Sequence, residues 1–216
     1  MLKKVLITGS IALWLLGISF VGNVLAAPFD PEAAIKSIAA AQESADTAFM
    51  LISAALVLLM TPGLAFFYGG FVRSRNVLNT MMMSFFAMGL IGVTWILYGY
   101  SLSFDTGLPF IGSLDWAFLN NVGLETTGYL RHLPYEDGLK AKDSVYADIA
   151  SYAPTIPHQA YMIYQAMFAI ITPALISGAI AERMSFRAYA LFMLLWSTFV
   201  YYPMAHMVWA KGGFLG

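Results

Sequence analysis

The chain has no cysteine, which excludes disulfides, thiol catalysis and cysteine metal sites while leaving open the compartment its loops occupy. It is also poor in charge. Lys, Arg, Asp and Glu make up 11% of its 216 residues, and 11 basic against 12 acidic side chains form no basic run that would suit a polyanion. There are three histidines, His132, His158 and His206, and no metal-spaced cluster, nucleophile elbow or phosphate loop. No enzyme site emerges and no cofactor is implied. Repeats and low-complexity tracts are missing too.

What is present is apolar: 60% of the residues are hydrophobic, more than a soluble domain of this size can hide. The chain belongs in lipid as an all-α polytopic membrane protein. Lys3-Lys4, the apolar run 5–21 and the small residues ending at Ala27 fit a signal peptide over residues 1–26, cleaved after Ala26; a retained first helix is the alternative. An amphipathic stretch, 28–46, follows. Four apolar spans are expected at about 47–72, 78–104, 159–181 and 188–209, each at least ~22 residues and long enough to cross a bilayer.

The connections are unequal. Residues 73–77 and 182–187 are short, whereas 105–158 form a loop whose first part is rich in Gly, Pro and Asn and whose stretch 136–151 is more polar. The short connections carry Arg73, Arg75, Arg183 and Arg187 against Glu182, and every other acid lies on the opposite side. The positive-inside bias places them in the cytoplasm and the mature N-terminus outside, with Glu182-Arg183 read as an interfacial ion pair.

Pro62-Gly63, Pro173 and Pro203 interrupt three spans, so the helices must pack into a bundle that satisfies the freed backbone groups. Pro62-Gly63 is expected to break the first span. Ala174, Ser177, Gly178 and Ala181 offer a small-residue face for close helix approach. Tyr98, Tyr100, Phe104, Tyr161, Tyr164 and Trp209 read as an interfacial aromatic belt, and His158 and His206 as interfacial histidines.

The spans hold almost no ionisable residue, so recognition falls to aromatics. Tyr164 and Phe168 are four apart on one helix face, and Trp209 ends another helix on the same side. Phe168 lies about 15 Å inward of His158 along the helix. The three rings could frame a vestibule for a small cation, against the plainer reading of helix packing.

Five blocks in order, ADTAFMLISAALVLLMTPGLAFFYGGFVRSRNVL, WILYGYSLSF, YQAMFAIITPALISGAIAERMSF, YPMAHMVW and GGFLG, together resemble the N-terminal part of ammonium transporters of the Amt/Mep/Rh family. The resemblance implies the N-terminal part of an eleven-helix fold with inverted five-helix repeats, assembled as a homotrimer in the plasma membrane. It also implies recruitment of ammonium at Trp209 and Phe168. Tyr164 stands where many relatives have phenylalanine. Asp46 and Tyr68 match motif positions, and Asp46 is read as a carboxylate at the N-terminus of the first helix in preference to a direct ammonium ligand.

In the family a P-II-type regulatory protein can dock on the cytoplasmic face, where Arg73, Arg75 and Arg187 stand here; their plain role is as orientation charges. Past the point matching Gly216 the family carries a conserved aspartate, two pore histidines, a second gating phenylalanine and a recruitment-site serine. The 216 residues contain none of these, so 27–216 reads as part of a transporter domain. An ammonium sensor with a transporter-like domain, or an inactive truncated fragment, are the alternatives.

Overall fold

Asp30 opens the first helix: its Oδ1 accepts the N–H groups of Glu32 (3.0 Å) and Ala33 (3.2 Å), and Pro31 sits at the start, where a missing N–H costs nothing. In the computed structural model, which describes residues 30–124, 152 and 155–215, this helix runs unbroken over Pro31–Gly69. The part up to Ala40 is a unit of its own, with Lys36 and Glu32 paired one turn apart at 3.3 Å. The signal-peptide region 1–26, His132 and the segment 136–151 lie outside the described residues.

Two expectations are corrected here. The helix begins at residue 31 rather than 47, because its Asp-Pro-Glu start is a complete capping signal. Pro62-Gly63 does not break it: proline removes one rung of the ladder while the flanking rungs hold.

Four helical stretches, Pro31–Gly69, Ser74–Phe104, His158–Ile180 and Phe186–Trp209, are long and apolar enough to cross a membrane. They will be called the first to fourth spans. The chain is a multi-pass, all-α membrane protein and, among the described residues, has one short hairpin pairing Gly107–Leu108 with Ile111–Gly112. On the first span the buried residues Ala54, Thr61, Ala65 and Gly69 fall on one face, whereas Phe49, Phe66, Phe67 and Phe71 are exposed. Small residues face protein and large apolar ones face outward, the partition a lipid environment permits.

The small-residue face of the third span receives a neighbour. Ala174 and Ser177 are fully buried, and the ring of Tyr68 lies against Gly178, where an added Cβ would overlap it. The Tyr68 hydroxyl donates to the Leu175 carbonyl at 3.0 Å. The second span packs on both the third and fourth spans. Ser84 and Ser177 hydroxyls meet at 3.5 Å, and Tyr189 donates to the Met83 carbonyl at 3.0 Å.

The second and fourth spans each contain one turn of π-helix, at Trp95–Gly99 and Ser197–Tyr201, where Tyr100 N–H reaches back to the Trp95 carbonyl and Tyr202 N–H to that of Ser197. Pro203 accounts for part of this in the fourth span, since it has no N–H to donate to a carbonyl one α-turn back. The two turns are tied together by hydroxyl groups: Tyr98 to Thr198 at 2.9 Å and Thr94 to Tyr202 at 2.8 Å. Gly99 lets the Tyr202 ring in; a Cβ there would sit 2.6 Å from it.

Tyr100 and Phe104 are fully buried and do not belong to an aromatic belt. The π-turn directs them inward, where they join Trp95 and Trp116; Tyr100 stacks on Trp116 with ring centroids 5.7 Å apart. His158 and His206 are likewise buried rather than interfacial, at 2% and 1% exposure. His158 Nε2 shares a 2.5 Å hydrogen bond with the Tyr100 hydroxyl, and its ring meets Trp116 edge-on at 4.9 Å.

Asp105 ends the second span and is itself 2% exposed. Its carboxylate accepts hydrogen bonds from the Ser101 and Ser113 hydroxyls and from the backbone N–H groups of Thr106, Asp115 and Trp116. One buried charge thereby folds the hairpin back over the aromatic cluster.

At the opposite end Glu182 adopts a positive φ of 62° just past the third span. Its carboxylate accepts from Asn76 Nδ2 at 2.8 Å and Arg73 N–H at 2.9 Å, joining the two short connections. The Asn76 amide, followed by the Arg73 N–H, holds the Glu182 carboxyl below its ordinary range. The expected Glu182-Arg183 pair is not formed: Arg183 Nη1 instead donates to the Ala179 carbonyl at 3.2 Å, closing its own helix end.

Candidate functional site

Tyr164 and Phe168 sit on consecutive turns of the third span, half-buried, in an edge-to-face contact with centroids 5.1 Å apart and planes at 77°. The helix is held at this point by Thr172, whose hydroxyl donates to the Phe168 carbonyl at 2.7 Å one residue before Pro173. The third span therefore fixes the backbone beneath the aromatic pair despite its proline.

Trp209 ends the fourth span and is 52% exposed, so its ring is open to a solute. The chain beyond it is anchored rather than loose. Lys211 N–H donates to the Tyr152 hydroxyl at 2.6 Å, Phe214 N–H to the Pro109 carbonyl at 2.9 Å and Leu215 N–H to the Met207 carbonyl at 2.8 Å. Gly212 makes the required turn at φ 87°. The Tyr152 hydroxyl in turn donates to the Phe104 carbonyl at 3.1 Å, tying the ends of the second and fourth spans.

A cleft of about 350 Å³ opens where the first and third spans meet the segment preceding the third. Tyr164 lines it together with Asp46, Tyr161, Gln165 and Thr155; Phe168 and Trp209 are not among its walls. The structure thus brings Tyr164 and Phe168 together and joins Tyr164 to a cleft, while Trp209 stands apart from that cleft. Asp46 is not at a helix N-terminus: it lies fifteen residues after Pro31, about four turns in, where the helix end no longer supports a carboxylate.

The Tyr100–His158 pair was not read from sequence as a site, and Asp46, weighed there as a direct ammonium ligand, was set below a helix-end role. A mid-helix aspartate beside an apolar run was the available signal for the Asp46 cleft.

Comparison with known proteins agrees with this architecture. The profile of the Ammonium Transporter Family matches residues 48–216. The chain belongs to that family.

An ammonium transporter of Bacillus subtilis (strain 168) is 46% identical over 171 residues, covering 79% of this chain and 36% of that protein. One from Mycobacterium tuberculosis (strain H37Rv) is 47% identical over 175 residues, covering 80% and 35%. The chain therefore spans about a third of the length of these transporters. Among solved structures, Candida albicans Mep2 superposes with a TM-score of 0.61 at 27% identity, covering 79% of this chain and 32% of Mep2. A Sensor Amt Protein shares the fold at a TM-score of 0.60 and 19% identity.

Proposed function

We propose that the protein carrying these residues moves ammonium or ammonia across the plasma membrane, recruiting the cation on its outer side at Trp209, Phe168 and Tyr164. The observation that supports this reading is the aromatic pair in a bundle whose spans hold hardly any charge. From residue 47 onward the four spans contain two Lys, Arg, Asp or Glu residues, Arg75 and Arg187, each in the first turn of its span. A ring face attracts a desolvated cation by about 1–2 kcal/mol. Carrying an intact ion through such a bundle costs far more than passing a neutral molecule, so the cation gives up its proton and crosses as ammonia, the proton either returning to the outer water or crossing separately.

In the same reading the mature N-terminus is extracytoplasmic, after removal of residues 1–26. The short arginine-bearing connections face the cytoplasm, where a P-II-type regulator docks, and the full-length protein is a homotrimer. Uptake of labelled methylammonium by the full-length protein tests the aromatic site. Trp209→Ala combined with Phe168→Ala should reduce it steeply, and undiminished uptake would remove these residues from the mechanism. The sensing alternative requires a signalling module beyond residue 216 and no uptake by the unaltered protein.

A further inference from the structure

The Asp46 cleft carries an inference that rests on a cation being the substrate and goes beyond the aromatic rings. Among the described residues that line it, Asp46 supplies the single formal charge, and none is a lysine or arginine. The carboxylate is half-buried, and among the described residues no hydrogen-bonding or ion-pair partner holds it. Thr155, Gln165, Tyr161 and Tyr164, all uncharged, line the cleft with it. The Tyr161 ring is held by a stacked contact with Tyr152 at 5.6 Å and an edge contact with Phe104 at 5.5 Å.

We infer that this cleft is an outer collecting site in which Asp46 captures a small monovalent cation of the ammonium class and Tyr164 hands it to Phe168. Tyr164 is the shared element, lining the cleft while packing on Phe168. One carboxylate balances one positive charge; a calcium-type ion would want six to eight oxygens and further carboxylates. The aromatic walls favour a weakly hydrated cation of the alkylammonium type over a strongly hydrated metal ion. The volume, about 350 Å³, corresponds to roughly a dozen waters at ~30 Å³ each. A cation can therefore be held there with most of its hydration shell, and dehydration is deferred to the Phe168 level.

A collecting site acts on capture at low concentration and not on the maximal rate. In proteoliposomes of the full-length protein, Asp46→Asn should raise the half-saturating methylammonium concentration about two- to fivefold, as loss of a half-exposed ion pair gives. The maximal rate should stay within about twofold, and Asp46→Glu should restore most of the affinity. Raising salt from about 20 to 500 mM should shrink the difference between wild type and Asp46→Asn, since the Debye length falls from roughly 20 Å to a few Å.

An unchanged half-saturation in Asp46→Asn, or a fall in maximal rate alone, overturns the site. If the unaltered protein transports nothing, the transport reading fails separately. Methylammonium binding to the detergent-solubilised protein, followed by NMR saturation transfer, then decides the site: weaker binding in Asp46→Asn supports it and equal binding removes it.

Discussion

Replacing Asp105 with alanine deletes the common acceptor of five hydrogen bonds in one buried place. Three of the five donors keep a second acceptor. Ser101 Oγ still reaches the Ser113 carbonyl at 2.9 Å, Trp116 N–H still reaches Ser101 Oγ at 3.0 Å, and Asp115 N–H still reaches Ser113 Oγ at 3.1 Å. Thr106 N–H and the Ser113 hydroxyl are left with none of their recorded acceptors. Two orphaned donors at about 1–3 kcal/mol each give a destabilisation of ~2–6 kcal/mol.

Asp105→Asn keeps one acceptor oxygen but turns an amide N–H₂ toward donors, and should cost about 1–3 kcal/mol. Equilibrium unfolding of the full-length protein in mixed micelles measures both, and hydrogen exchange over residues 106–116 should accelerate in the alanine variant. An alanine variant within about 0.5 kcal/mol of wild type, the range of an ordinary surface change, would refute the claim that this carboxylate organises the hairpin.

Two other perturbations are as direct. Gly178→Ala should destabilise by about 1–3 kcal/mol through overlap with Tyr68, and its cost should shrink in a Tyr68→Ala background; additive costs in a double-mutant cycle would dissolve the contact. The Glu182 carboxyl is held below its ordinary range in the folded protein, so its link is present above the unfolded value and lost as pH falls through the folded one. A spin label at Ser74 should gain mobility over that acid window in wild type. It should be mobile at all pH values in Glu182→Ala, and a pH-independent wild type would overturn the link.

How much of this was legible follows from what each feature depends on. The four spans rest on the absence of charge over bilayer lengths, a property of composition that no tertiary detail alters. The start of the first helix was legible too: Asp30, Pro31 and Glu32 form a start signal. Lys36, Glu43 and Asp46 drew the boundary inward, because charge marks a membrane edge and not a helix edge. Pro62 was given too much weight for a residue that removes a single rung.

Of the aromatic site, Tyr164 and Phe168 were legible from their spacing alone, since four residues on one helix bring two rings into contact. Tyr100 and Phe104 were misplaced because their direction depends on an inserted π-turn residue, and Gly99 carries no sign of it. Asp105 gathers donors from residues 101 to 116, a set that exists only once the hairpin has folded back. The distance between Trp209 and the other rings depends likewise on how two separate spans pack.

The paired π-turns mark two places where chain length can change without re-aiming the outer aromatics. One residue corresponds to about 100° of helical rotation. Deleting one from within 95–99 or 197–201 would let the same closing bonds, Tyr100 N–H to the Trp95 carbonyl and Tyr202 N–H to the Ser197 carbonyl, complete a regular α-turn, so the side chains beyond would keep their faces. The same deletion in the regular helix just beyond would swing Phe104, or His206 and Trp209, by more than a quarter-turn. Relatives could thus gain or lose a single codon at either π-turn with the outer face left in place.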